Sequence, residues 1–188
     1  MIKIGITGSL ASGKTTASKI LAGKRGPLFS ADTAVKELYK DKNFRALLSR
    51  KFGIKNNNQI KKSLKRLIFK NSSNLKKLEK ILHPLVRKKM RKFTSQNKNK
   101  KMIFYEIPLL IESKLTKLFN VVIFIKSKKK IRLKRFKSRR GDKKLFNLLN
   151  KKQMSDNKKV RFCDYVVVNE KNLKILKKNL STILSKYE

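Results

Sequence analysis

The sequence predicts an α/β fold built on a five-stranded parallel sheet flanked by helices. Three observations predict it. Short apolar runs rich in β-branched residues alternate with stretches of helical periodicity, as βαβ units require. The run Val121–Ile125 (VVIFI) has no polar alternation, as expected of a strand buried on both faces of a parallel sheet. The first run, Ile2–Ile6, leads directly into GSLASGKT at residues 8–15, a strand, a glycine loop and the start of a helix.

The elements follow in order. IKIGIT at 2–7 is the first strand, and Lys14–Ala22 has helical spacing. PLFSA at 27–31 is the second strand, ending at Asp32. From about Thr33 to Gln96 Leu, Ile and Phe recur at three- and four-residue spacing, with a break at Gly53–Asn58, so this region reads as helices. It is too long for one crossover and is expected to form a helical insert over the carboxyl ends of the strands, where such sheets bind ligands. MIFYEI at 102–107, VVIFI at 121–125 and Tyr165–Val168 complete the sheet, and a last helix fills Leu173–Tyr187. No internal repeat and no Pro- or Gly-rich linker marks a second independent domain, so residues 1–188 are read as one unit.

Composition narrows the function. The chain carries 52 Lys and Arg against 11 Asp and Glu, a net charge of +41. Such a field draws in polyanionic ligands. The lysines occur on nearly every polar surface and no aromatic residues are interleaved with a basic stripe, so a solvated, lysine-biased surface is favoured over dedicated nucleic-acid recognition. No apolar run approaches the ~20 residues of a membrane span, and the N-terminal stretch is too short and interrupted for a signal peptide. The single cysteine, Cys163, has no disulfide partner and reads as a small buried hydrophobe. A cytoplasmic protein is the default, and a monomer is expected.

GSLASGKT matches G-x-x-x-x-G-K-[ST]. Gly8 and Gly13 let the backbone curl so that successive N–H groups point at phosphate oxygens. Lys14 is expected to reach the β- and γ-phosphates and the Thr15 hydroxyl to coordinate Mg²⁺, while the following helix offers its positive end. The loop, with Ala11, Ser12 and Thr16, is read as a nucleoside-triphosphate cradle.

The loop does not name the phosphate acceptor. Asp32 follows the second strand, where a carboxylate could take the proton of an attacking hydroxyl; an N-cap for a helix at Thr33–Tyr39 explains it equally well. His83, the only histidine, precedes Pro84, a pattern more often a turn or cap than a catalyst. Glu106 could touch a metal-bound water, and Pro108 could shape a pocket wall or simply end the third strand. From Lys126 to Lys144 there are 12 basic residues and one acid. Ile131, Leu133 and Phe136 suggest a helix there, with Arg135 and Arg139 on one face. Arg139–Asp142 breaks the pattern and could begin a flap that closes over the γ-phosphate and excludes water.

Taken together, GITGSLASGKTT, SAD, LEKILHPL, IPLLIE, LKR followed by Arg139, Gln153 and CDYVVVNE occur in the order found in the dephospho-coenzyme A kinase family, which the chain resembles over nearly its whole length. The resemblance implies a P-loop kinase with a nucleotide-binding core (1–32, 101–138, 160–188), a helical acceptor-binding insert (33–100) and a lid (139–159). It implies ATP and Mg²⁺, and phosphorylation of the ribose 3′-hydroxyl of dephospho-coenzyme A. By position, Asp32 matches the general base, with Lys14 and Arg139 as further catalytic residues. Gly8, Ala11, Ser12, Gly13, Lys14, Thr15, Thr16, Arg135 and Arg139 match the ATP site, with Thr15 on the metal. His83, Pro108, Leu109 and Leu110 match segments near the acceptor. The chain departs from the family at Ser30, where an Asp is usual, at Lys36, in the stretch 54–62, and at Asp156, where a basic residue can occur. Another small-molecule kinase of this fold, for a nucleoside or a sugar, is the alternative. A nucleic-acid-stimulated P-loop ATPase is a third reading, motivated by the charge.

Overall fold

A computed structural model describes all 188 residues. The chain divides into two compact units, residues 1–30 with 97–188, and residues 31–96.

The first unit holds the sheet. Its strands are β1 (Ile2–Gly8), β2 (Leu28–Ser30), β3 (Met102–Glu106), β4 (Val121–Lys126) and β5 (Tyr165–Val168), all parallel in the order β2-β3-β1-β4-β5. β1 lies between β3 and β4, with Ile4 opposite both Phe104 and Val121. Ile4, Ile6, Ile103, Phe104 and Ile123–Ile125 are fully buried, which is why the middle of these strands is largely apolar on both faces. Helices α1 (Lys14–Ala22) and α9 (Leu173–Leu184) cover one face with Ala17, Leu21, Leu176, Leu180 and Leu184. α9 stops at Leu184, three residues short of the expected end, and Tyr187 packs against the same core. On the other face Leu110 and Phe119 pack against Gly5, where a Cβ would lie 2.8 Å from Leu110. Helices α6 (Lys129–Lys137), α7 (Lys143–Lys152) and α8 (Asp156–Val160) fill the connection from β4 to β5.

The connections leaving β1 and β3 run to opposite sides of the sheet, and ligands bind at such a switch point, outside the carboxyl ends of the strands. Those ends carry the glycine loop after β1, Glu106 on β3, Ser127 after β4 and Asn169 after β5.

The second unit is helical: α2 (Ala31–Leu38), α3 (Lys42–Phe52), α4 (Ile60–Lys70) and α5 (Ser73–Gln96). Leu38, Phe44, Leu48, Ile60, Leu64 and Leu78 form its core. Asp41 caps α3 by accepting from the Phe44 N–H, and Gly53 closes it in the left-handed conformation, which accounts for the break seen in the sequence. Two expectations change here. α2 already begins at Ala31, so Asp32 lies in its first turn and is not the N-cap of a helix starting at Thr33. His83 and Pro84 lie inside the 24-residue α5, not in a turn. Pro84 lacks the N–H that would bond the Lys80 carbonyl, but Ile81, Leu82, Leu85 and Val86 around it pack against the unit's core and hold the helix through it. No helix is long and apolar enough to cross a membrane.

Candidate active site

The glycine loop joins β1 to α1. Gly8 is fixed by close approach, since a Cβ there would meet the Ile125 carbonyl at 2.4 Å and Ser12 Oγ at 2.7 Å. Gly13 is the N-cap of α1 at φ 97, a left-handed conformation that glycine adopts without cost. No side chain caps α1 and no acid lies in its first turn, so its leading N–H groups remain for an anion. Ala11 is left-handed too, at φ 58.

Side chains from distant parts of the first unit converge on this loop. Lys14 is buried, and its Nζ donates to the Ser9 carbonyl at 3.0 Å, which bends the ammonium back over the loop. Thr15 Oγ1 donates to Glu106 Oε1 at 2.6 Å, and Glu106 is 2 % exposed at the end of β3. The Ser12 carbonyl accepts from Asn169 Nδ2 at 2.9 Å and from Arg135 Nη1 at 3.3 Å. The Leu10 N–H donates to Gln153 Oε1 at 2.9 Å, and the Ser9 hydroxyl donates to Asp156. Arg132, 5 % exposed, donates to the carbonyls of Leu10 and Ser127. Burial pushes the Arg132 pKa below its ordinary value, against the opposing pull of Asp156.

Beside the loop, Thr15, Thr16, Lys19, Ile20, Arg139 and Leu173 line a cavity of about 440 Å³. Arg139 thus lines the same cavity as Thr15 and Thr16, but not from the expected helical face. α6 stops at Lys137, and the Gly141 and Arg140 N–H groups bond the Phe136 and Lys137 carbonyls with Arg140 left-handed at φ 62, a Schellman closure. Arg139 therefore sits exposed in the closing turn, while Arg135 stays on the helix and holds Ser12.

Of the other expected site residues, Pro108 accepts from Thr7 Oγ1 at 3.2 Å through its carbonyl and is half-buried, as is Leu109; Leu110 is fully buried against Gly5. Glu112 pairs with the buried Lys159 at 2.8 Å, tying this segment to α8. Asp32 and His83 belong to the helical unit. Cys163 is only half-buried, and burial, then Asp164, push its thiol up to about 12 against the opposing effect of Lys159, so it is an unreactive thiol.

Arg132, Asn150 and Ser127 were missed by sequence reasoning; Asp156 and Asn169 drew notice only as a departure and as part of CDYVVVNE. The one sequence signal for Asn169 is its place at the carboxyl end of a strand.

A parallel sheet whose central strand delivers a glycine loop to a helix N-terminus, with a lysine, a threonine and a buried carboxylate beside it, defines a P-loop nucleotide-binding protein, and its relatives place it among the kinases of that fold. The family model described as dephospho-CoA kinase matches residues 2–174. A curated dephospho-CoA kinase of Bartonella quintana is 35% identical over 175 residues, 90% of each chain, and one of Rickettsia bellii is 32% identical over 189 residues, covering 100% of this chain and 98% of its own. The crystal structure of TT1252 from Thermus thermophilus superposes with a TM-score of 0.82 at 25% identity, covering 100% of this chain and 98% of that one. The chain belongs to the dephospho-CoA kinase family.

Proposed function

We propose that the protein transfers the γ-phosphoryl group of ATP to the ribose 3′-hydroxyl of dephospho-coenzyme A, completing coenzyme A synthesis. Family membership carries this reading, and the loop geometry supports it.

Lys14 lies over the loop, where its ammonium can neutralise charge that develops on the transferring phosphoryl group. Thr15 and Glu106 offer only hard oxygen donors, and their direct hydrogen bond brings a hydroxyl and a carboxylate together, a set that suits magnesium. Magnesium, when bound, supplies positive charge among the phosphate oxygens. Gly8, Ala11, Ser12, Gly13 and Thr16 shape the phosphate cradle. Arg135 holds it through Ser12, and Arg139 stands ready in an exposed turn to meet phosphate. Asp32 is assigned as general base, since the 3′-hydroxyl must lose its proton as the new P–O bond forms. With Ser30 in place of a second acid, Asp32 acts alone in this role. Residues 33–100, with His83, and the segment Pro108–Leu110 serve the acceptor, and 139–159 acts as the lid. A cytoplasmic monomer fits this small-molecule chemistry.

The test is an ATP-coupled assay with dephospho-coenzyme A, the product identified by mass. A gain of one phosphoryl group on the ribose supports the reading. ATP consumption with only a nucleoside or sugar, or only with DNA or RNA, overturns it.

A further inference from the structure

The first half of the glycine loop is held by groups that the reaction itself does not call on. The Leu10 residue is gripped at both ends, its N–H by Gln153 at 2.9 Å and its carbonyl by Arg132 at 3.3 Å. The next residue, Ala11, is left-handed at φ 58, a conformation disfavoured once a Cβ is present and held only where its surroundings fix it. On the other side Ser9 donates its hydroxyl to Asp156.

Arg132 joins these contacts. It is 5 % exposed, which is unusual for a guanidinium without a direct carboxylate partner. Its Nε donates to Ser127 O at 3.1 Å, its Nη1 reaches both Leu10 O and Asn150 Oδ1, the latter at 2.8 Å, and its Cζ lies 5.8 Å from the Phe146 ring centre. One rigid fork therefore touches the end of β4, the loop and α7. Lysine, a point charge on a flexible stem, cannot donate along these separate bearings at once. The anchors come from both sides of the turn that carries Arg139: Arg132 precedes it, and Asn150, Gln153 and Asp156 follow it. A displacement of α7 thus acts on Leu10 through Asn150 and Arg132.

We infer that Arg132, with Gln153 and Asp156, is a positioning residue that fixes the Ser9–Ala11 half of the loop for nucleotide phosphate and couples it to α7. This rests on the kinase reading for its nucleotide. The Leu10 N–H is committed to Gln153, so Leu10 anchors the loop and phosphate is left to the later amides.

The test uses the full chain and needs no acceptor: calorimetric titration with magnesium and a non-hydrolysable ATP analogue, alongside thermal melting. Arg132→Met keeps the apolar stem and loses the donors; Arg132→Lys keeps the charge and loses the fork. Both are expected to fold and to weaken nucleotide binding by about tenfold, the loss of one hydrogen bond from a charged donor. KM for ATP should rise in parallel, with KM for dephospho-coenzyme A changed by less than about twofold. A folded Arg132→Met that binds the analogue as tightly as the parent overturns the inference, and full rescue by Lys does so as well. Should Arg132→Met not fold, Asn150→Ala and Gln153→Ala leave the arginine in place and carry the same test; unchanged affinity in both overturns it. A parent protein that binds nucleotide but leaves dephospho-coenzyme A unmodified would overturn the proposed function and leave this test standing.

Discussion

Gly13→Ala tests how the loop is locked. At φ 97 a residue with a Cβ is strained by roughly 1–2 kcal/mol. The new Cβ would also stand 2.1 Å from Asn169 Nδ2, so that amide must move. Asn169 is 8 % exposed and donates to Ser12 O at 2.9 Å, so moving it breaks that hydrogen bond, worth about 0.5–1.5 kcal/mol. The expected loss is about 2–3 kcal/mol, or roughly 4–12 °C in melting temperature for a chain of this size. Asn169→Ala alone loses only the hydrogen bond. In the double variant the collision is gone and the hydrogen bond is lost once, not twice, so only the backbone strain is added. The two substitutions should therefore be less than additive by about 1 kcal/mol. Melting and urea unfolding of the parent, both single variants and the double variant measure this. Strictly additive costs would refute the claim that Gly13 is glycine because Asn169 occupies the space.

Lys14→Ala should lower turnover by roughly 10²-fold or more while the protein stays folded, and near-normal turnover would remove the lysine from the reaction. Asp32→Asn should cut turnover by about 10²–10⁴-fold and shift stability by less than about 1 kcal/mol, since Asp32 is in the first turn of α2 and contributes only its charge near the helix N-terminus. An active Asp32→Asn enzyme would leave Asp32 as a helix-end charge. Arg139→Ala should reduce turnover by roughly 10²-fold and leave dephospho-coenzyme A affinity unchanged; an unaltered rate would return Arg139 to the solvated surface. Native Cys163, its thiol held up to about 12, should react with iodoacetamide at pH 8 about 10³-fold more slowly than in urea, and equal rates would contradict its burial. The native state holds this proton more tightly than the unfolded chain does, so the group's contribution to stability is full below pH 9.0 and fades as pH rises toward 12.

What was legible in the sequence is what short-range patterns encode. VVIFI reads as a doubly buried strand because parallel strands have no polar face, and Gly8 and Gly13 mark the loop because no other residue fits there. The errors lie where tertiary context decides. His83 before Pro84 reads as a turn or cap, yet the apolar residues around the pair keep α5 continuous. Arg139 reads as one turn beyond Arg135, but Gly141 allows the Schellman closure that takes it off the helix. One of the two readings of Asp32 is a cap for a helix starting at Thr33, but α2 begins two residues earlier, at Ala31. The grip on the loop was invisible because Arg132, Gln153, Asp156 and Asn169 lie more than a hundred residues from Ser9–Ser12, and only the strand order brings them there.

The charge can be weighed on the same footing. Lys and Arg make up 20 of the 66 residues in the helical unit and 32 of the 122 in the other, so neither unit concentrates them and the field is diffuse. What differs is how a few cations are used. The carbonyls of Ser9, Leu10 and Ser12 accept from Lys14, Arg132 and Arg135, with Asn169 also on Ser12. In a trans peptide the C=O and the following N–H point in opposite directions. Turning the Leu10 and Ser12 carbonyls toward arginine therefore turns the Ala11 and Gly13 N–H groups away from it. Those amides then face outward beside the uncapped start of α1, an arrangement that receives anions. On the proposed reading, buried Arg132 and half-buried Arg135 act on phosphate through the backbone: by attracting carbonyls they aim the amides, while the diffuse surface charge raises the local concentration of the anions those amides bind.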